Sequence, residues 1–268
     1  MFIQGQFANC KSLIVSHVWN EAGIFIKKAI DTPTAFTNFV KSVFPGDKMQ
    51  KIRDSIEARY PSAGPPFLGD QQARVRQVVQ DSTFVCNSRQ VYDAYKGKTY
   101  VLKYDFPPAT HGSDLLAASY HRGLAVGDLL KSYIKDLPEP IVNVLEAVIT
   151  PFAQRYQRYF GGHAVSGDPN EFNYGRYEKW EIANDDDGTI NNALKATLLS
   201  FDDTPFFNVG KDLESTAKIC DFWKEVAQEI GNLYIGENSS GDESGVFNGL
   251  FGVQVQDPEK GTPVIPDL

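Results

Sequence analysis

A carboxylate and a histidine follow two separate predicted strands, and together they could form an acid–base pair. His111 lies in a proline-containing loop directly after Thr99–Phe106, a run of β-branched and aromatic residues typical of a strand. Glu21 lies in a polar turn directly after Leu13–Val18, a short apolar strand. A general-base histidine needs a carboxylate on its far ring nitrogen, which fixes the tautomer and stabilises the imidazolium. A lone loop histidine is more often an ordinary surface residue, so the catalytic interpretation depends on the second segment.

Several further segments extend this pattern over most of the chain. In chain order they are Ile14–Ser16, Asn20–Gly23 with Phe25, Phe84–Arg89, His111–Leu115, Phe160–Asn170, Trp180 and Cys220–Trp223. Through them the chain resembles the C-terminal half of a type-B carboxylesterase, the family of fungal esterases and lipases and of cholinesterases. The resemblance spans roughly residues 5–225, and an acid followed by a histidine is the order of the last two triad members in α/β-hydrolases. The acid turn departs from the family, which usually has Glu-Gly where this chain has Glu21, Ala22 and Gly23.

The resemblance implies an α/β fold that is one part of an α/β-hydrolase: the last strands of the sheet, their helices and a C-terminal helical cap, without the nucleophile half. Residues 1–235 are expected to form this C-terminal portion of the domain, and the polar, glycine-rich residues 236–268 a flexible tail. Apolar periodicity predicts helices near residues 33–43, 48–58, 71–85, 91–95, 141–160 and 218–230, with a break near Asp81 left open. Two short peripheral strands are predicted at Leu194–Phe201 and Phe206–Val209.

The activity that the resemblance implies is hydrolysis of carboxylic esters, with a small-molecule or lipid ester as substrate. In this interpretation Glu21 orients His111, and His111 acts first as general base and then as general acid. No cofactor and no metal is implied. Proteins of this family are often secreted, but the N-terminal residues lack the basic region, apolar core and cleavage site of a signal peptide.

The serine nucleophile is missing from the sequence. A serine hydrolase of this type carries it in a Gly-x-Ser-x-Gly turn between a strand and a helix, and no such pattern occurs here. The nearest serine is Ser62, which follows a proline, while Ser244 stands at the wrong offset between its glycines. We therefore expect the chain to be inactive alone and to need the missing N-terminal half. The alternative is a truncated product or binding module that performs no chemistry.

Composition excludes some classes of function. The net charge of −8 and the pI near 5.1 argue against binding to nucleic acid or to anionic membranes. No apolar run approaches the roughly 18 residues of a membrane-spanning helix. The three cysteines match no zinc pattern, and we expect them to be buried free thiols.

The remaining polar candidates have structural interpretations. Asp114 is expected to cap the helix that follows it, with support of His111 as the alternative. The acidic turn around Asn184 fails the calcium-loop pattern, because Leu194 stands where a bidentate glutamate belongs. His17, His121 and His163 are interpreted as packing, surface or loop-supporting residues, and Asn238 heads a glycosylation triplet that matters only in a secreted protein.

Overall fold

The computed structural model describes residues 8–26, 30–121, 138–175, 177–198 and 206–235, together with residues 124, 127, 128, 131 and 136. The tail predicted for 236–268 lies outside the described residues. The chain divides into two compact units. The first contains the segments up to residue 29 and from 72 to 225, and the second contains residues 30–71 and the segment from residue 226 onward.

The first unit is built on a sheet of four strands in the order β1, β2, β3, β4. The strands are β1 (Leu13–Val18), β2 (Thr99–Asp105), β3 (Ile190–Thr197) and β4 (Phe207–Asp212). The first three run parallel to one another, and β4 is antiparallel to β3. The sequence pattern predicts both strands that precede the candidate pair, and each is a mostly apolar run, as parallel strands covered on both faces tend to be.

Strand β3 differs from its prediction both in where it begins and in its location within the sheet. It begins four residues before the predicted start at Leu194 and pairs on both sides, with β2 and with β4, so it is not peripheral. The pairing register shifts between Ile190 and Ala193, and Asn192 in between has a positive φ of 59°. Asparagine tolerates this conformation but is depleted in strands, so the sequence carries no strand signal at this point.

Seven α-helices lie in the described residues: α1 (Pro33–Val43), α2 (Gln50–Arg59), α3 (Gln71–Val79), α4 (Cys86–Ala94), α5 (Asp114–Ala118), α6 (Glu139–Ser166) and α7 (Ala217–Ile235). The Thr32 side chain caps α1 by accepting a hydrogen bond from the Ala35 N–H at 3.1 Å. The region around Asp81 is neither broken nor α-helical. It is a π-helix, Gln80–Val85, that joins α3 to α4. None of the helices in the described part combines the length and hydropathy needed to cross a membrane.

Helix α6 and the sheet share the main hydrophobic core of the first unit. The Phe152 ring of α6 stacks on Phe106 at 4.0 Å and on Phe207 at 5.1 Å between ring centroids. Tyr104 of β2 meets both Phe152 and Tyr156 edge-on. These side chains are fully or almost fully buried, and burial of aromatic surface of this kind is the dominant favourable contribution to folding.

The prediction of three free thiols is wrong for two of the cysteines. Cys86 at the start of α4 and Cys220 in α7 form a disulfide, with their Cα atoms 4.9 Å apart. They are separated by 134 residues in the chain, and such a spacing carries no signal of proximity. Cys10 remains a free thiol.

Candidate active site

Glu21 and His111 form a direct contact between side chains. The Glu21 Oε2 atom lies 2.6 Å from His111 Nδ1, within the range expected for an acid–base pair. The other oxygen, Oε1, accepts a hydrogen bond of 2.7 Å from the Val18 N–H. The glutamate side chain is only 8% exposed, whereas that of His111 is 44% exposed. An ionised carboxylate only accepts, so Nδ1 carries the proton and Nε2 is left free to accept another.

Pairing between β1 and β2 continues past the ends of both strands and brings the two loops together. The Trp19 N–H donates to the Tyr104 carbonyl at 3.0 Å, and the Asn20 N–H donates to the Ala109 carbonyl at 2.9 Å. Asn20 and Thr110 also form an isolated parallel bridge. Glu21 and His111 each follow directly after the members of this bridge. The register of the sheet therefore sets the distance between the acid and the imidazole.

The histidine loop turns tightly before it enters α5. Gly112 has a φ of 78°, a left-handed conformation that glycine adopts without steric cost. The interpretation of Asp114 as the helix cap is wrong by one residue, because α5 begins at Asp114 and Ser113 occupies the cap position. Asp114 instead borders the same cleft as His111. Burial raises the pKa of Asp114, and the charge of Glu21 acts in the same direction.

Two phenylalanines pack around the imidazole. The ring centroid of Phe25 lies 5.1 Å from that of His111, and the centroid of Phe84 lies 5.0 Å from it. The two phenylalanine rings stack on each other at 5.5 Å. Beside the pair is a cleft of about 390 Å³. It is lined by residues of β1, the acid turn, the π-helix, α4, the histidine loop and α5: Ser16–Val18, Glu21, Thr83, Phe84, Asn87, Ser88, His111, Gly112, Asp114 and Leu115. The imidazole is thus held by a carboxylate on one edge and by apolar rings around it.

The buried carboxamide of Gln80, which the sequence pattern does not single out, contacts the acid turn. Its Nε2 donates to the Trp19 carbonyl at 2.9 Å, and its Oε1 accepts from the Ala22 N–H at 3.3 Å. A single glutamine inside a helical pattern gives no signal of such a role. The nearest hint in the sequence is the open question of a break near Asp81, which marks the π-helix that carries Gln80.

The other candidate residues have partners of their own. His163 contacts the Ser12 hydroxyl at 3.0 Å near the end of α6, in agreement with a structural role. Ser62 belongs to the second unit and accepts a hydrogen bond from Gln71 at 2.9 Å. In the acidic turn, Asp185 pairs with Arg89 at 2.5 Å. Among the described residues, no group of three or more acidic, histidine or cysteine side chains is arranged to hold a metal ion.

Comparison with known proteins finds relatives that are longer than this chain. No family model matches the chain. A secreted lipase of Arthroderma benhamiae is 28% identical to it over 221 residues, which cover 82% of this chain and 38% of the lipase. The fold is similar to that of Aspergillus niger EstA, with a TM-score of 0.59 and 15% identity over 85% of this chain and 42% of EstA. A structure of PNB esterase matches with a TM-score of 0.50 and 13% identity, over 85% of this chain and 39% of the esterase.

The chain therefore spans about two fifths of the length of these relatives. The structural matches show a partial α/β-hydrolase fold. Together with the sequence match, they support a relationship to type-B carboxylesterases and lipases over this part of the molecule.

Proposed function

We propose that this chain carries the acid and the general base of a carboxylic ester hydrolase, and that the serine nucleophile is not among its 268 residues. The observation that supports this most directly is the 2.6 Å contact between Glu21 and His111. It joins two loops that follow the C-terminal ends of neighbouring parallel strands. These strand ends form the edge of the sheet at which α/β folds collect catalytic groups. The similarity to an esterase and a lipase supports the proposed class of reaction.

In the proposed reaction, His111 moves protons and Glu21 holds it in place. Nε2 of His111 takes the proton of the serine hydroxyl as the serine attacks the ester carbonyl, and then gives that proton to the departing alcohol. In the second half, the same nitrogen activates a water molecule that hydrolyses the acyl-enzyme. Glu21 keeps the proton on Nδ1 throughout and stabilises the imidazolium that forms twice per cycle.

The substrate class that we propose is an ester with a hydrocarbon part. The half-buried Phe84 and the exposed Phe25 and Leu115 place apolar surface beside the imidazole. Such surface favours an acyl or alcohol chain over a charged group. This agrees with a small-molecule or lipid ester as substrate.

A fluorophosphonate tests the missing nucleophile, because it reacts only with a serine that an adjacent base and an oxyanion hole activate. We expect intact mass spectrometry to show the chain unmodified after incubation, and ester hydrolysis to stay at background. Stoichiometric labelling that disappears in His111→Ala would overturn the proposal, since a serine within the chain would then be the nucleophile. Ser62 would be the first residue to substitute.

The acid–base role is tested by adding the missing serine. The chain is mixed with the separately produced N-terminal half of a type-B carboxylesterase, which supplies a Gly-x-Ser-x-Gly turn. We expect labelling and turnover above either part alone, and a loss of up to about a million-fold in kcat when the mixture contains His111→Ala. A mixture that is equally active with His111→Ala would contradict the assignment. A folded mixture without any activity would favour the non-catalytic alternative.

A further inference from the structure

Gln80 bridges the two sides of the turn that carries Glu21. We propose that Gln80 is a positioning residue, whose carboxamide holds the Glu21 carboxylate against His111. The catalytic meaning of this inference rests on the proposed function, but the contacts and their test do not. The hydrogen bonds of the Gln80 side chain go to the backbone of the turn, so it acts through that backbone.

The contacts of Gln80 fall on both sides of Glu21 in the chain. Before Glu21, Nε2 donates to the Trp19 carbonyl at 2.9 Å and approaches the Val18 carbonyl at 3.4 Å. After Glu21, Oε1 accepts from the Ala22 N–H at 3.3 Å. Gln80 is 7% exposed and Glu21 is 6% exposed. One carboxamide thus ties together the backbone on either side of a buried carboxylate.

The turn needs an external acceptor because it lacks a cap of its own. Glu21–Ile24 is a short 3-10 helix, and the side chain of Asn20 at its cap position makes no capping hydrogen bond. The first N–H groups of any helix have no partner inside that helix. Ala22 is completely buried, so water does not replace the missing partner. Gln80 supplies the acceptor that Asn20 does not.

The π-helix that carries Gln80 also contacts His111. Gln80 is its first residue, and Phe84, about one turn later, packs its ring 5.0 Å from the ring of His111. A single element therefore touches the acid turn with a carboxamide and the imidazole with an apolar ring. π-helical turns are rare and occur frequently at functional sites. A regular α-helix over the same residues would change the relative direction of these two side chains.

The test measures the pair directly by NMR of the 268-residue chain labelled with 15N-histidine. A proton held between Nδ1 of His111 and a buried carboxylate gives a far-downfield resonance that exchanges slowly with water. Loss of one signal in both His111→Asn and Glu21→Gln assigns it to the pair. In Gln80→Met, which has a similar volume but no carboxamide, we expect this signal to vanish or its exchange to accelerate at least about ten-fold.

Asn170→Leu is the matched control for a loss of general stability. Asn170 is another carboxamide clamp: its Nδ2 donates to the Trp180 carbonyl at 2.7 Å and its Oδ1 accepts from the Trp180 N–H at 2.9 Å. Its contacts do not include the acid turn or the histidine loop. We expect Asn170→Leu to lower the melting temperature but to leave the downfield signal in place.

Gln80→Asn is the second variant, because it keeps a polar group in the buried site but is too short to reach both sides of the turn. A wild-type signal with unchanged exchange in folded Gln80→Met or Gln80→Asn would overturn the proposal. The unsubstituted chain gives an independent check, since the Gln80 carboxamide protons should exchange more slowly than those of the exposed Gln50. Equal rates would also overturn it. None of these results depends on ester hydrolysis, so failure of the proposed function is recognised separately, by fluorophosphonate labelling of the mixture.

Discussion

His17 forms a second buried contact between an imidazole and a carboxylate, separate from the contact between Glu21 and His111. Its Nε2 lies 2.8 Å from Asp212 Oδ2, with the two side chains 2% and 0% exposed. Burial lowers the pKa of His17, but the hydrogen bond and charge of Asp212, helped by Glu214 and opposed by Lys103, raise it above 6.5 overall. Burial raises the pKa of Asp212, but the contacts with His17 and with the Ser215 hydroxyl hold it below 3.8 overall.

These two shifts predict how the pair contributes to stability at different pH values. A raised histidine pKa stabilises the fold fully below 6.5, and this contribution is lost as the pH rises through the folded-state pKa. A lowered aspartate pKa stabilises the fold above 3.8, and this contribution is lost as the pH falls through the folded-state pKa. The contribution of the pair is therefore greatest between these two values.

Substitution of His17 tests this pH dependence. His17→Leu leaves the buried Asp212 without its main partner, so we expect the free energy of unfolding to fall by about 3–5 kcal/mol near pH 5.5. As the pH rises from 5.5 toward about 9, the contribution of His17 is lost once the pH passes its raised folded-state pKa, so the loss caused by the substitution should become smaller. Urea unfolding at both pH values measures the difference, with His121→Gln at an exposed position as control. An equal loss at both pH values would mean that the histidine contributes only by packing.

At the scale of residues, the sequence indicates groups that follow strands but not groups that meet across the sheet. Glu21 and His111 could be predicted because each directly follows a recognisable strand, in an order that a known family shares. His17 and Asp212 are 195 residues apart and belong to the first and the last strand of the sheet, so the sequence around either residue carries no signal of their contact. The contacts of Gln80 depend on the π-helix, for which the spacing of apolar residues gives no distinct signal.

At the scale of elements, the two strands that precede Glu21 and His111 follow their sequence patterns, whereas the irregular elements do not, and helix α6 continues six residues past its predicted end. The pattern of Leu13–Val18 predicts the correct bounds of β1, and Thr99–Phe106 predicts those of β2 to within one residue. The bulged start of β3 and the π-helix escape prediction, because each contains one extra residue relative to the regular repeat. Both irregular elements therefore need the tertiary structure to be located.

Two adjacent glycines inside α6 provide a test of its packing. A Cβ atom on Gly161 would lie 3.7 Å from the Phe172 ring, an ordinary contact, whereas one on Gly162 would lie 3.1 Å from the carbonyl oxygens of Asp168 and Pro169. Alanine in a helix interior is favoured over glycine by roughly 0.5–1 kcal/mol. We expect Gly161→Ala to raise the unfolding free energy by about this amount.

Gly162→Ala should lower the unfolding free energy, because the backbone after α6 must move away from the new methyl group. Chemical denaturation of the two variants side by side measures the difference, and each serves as the control for the other. Equal stabilisation by both substitutions would show that the segment after α6 yields to the methyl group at little cost.

At the scale of the whole chain, one covalent link joins segments that are distant in sequence. Cys86 directly follows the π-helix, and Cys220 lies in α7. The disulfide therefore anchors the C-terminal end of the element that supports the acid turn. Sequence alone could predict a partial α/β-hydrolase fold but not this link, because its residues carry no local pattern and become neighbours only after the sheet and its helices have assembled.

Removal of this disulfide should lower the free energy of unfolding by several kcal/mol. A link that closes a loop of 134 residues restricts the unfolded chain, and the chain-entropy relation gives about 5 kcal/mol for such a loop. Measured losses on removal of native disulfides are typically about 2–5 kcal/mol, so we expect the loss in the double variant Cys86→Ala, Cys220→Ala to lie in this range. Urea unfolding in the absence of reductant measures this loss.

Cys10→Ala, which removes the free thiol, should change the unfolding free energy little. Dithiothreitol should bring the wild type close to the double variant and leave the double variant itself unchanged. A double variant as stable as the wild type would mean that packing between α4 and α7 holds these segments together without the covalent bond.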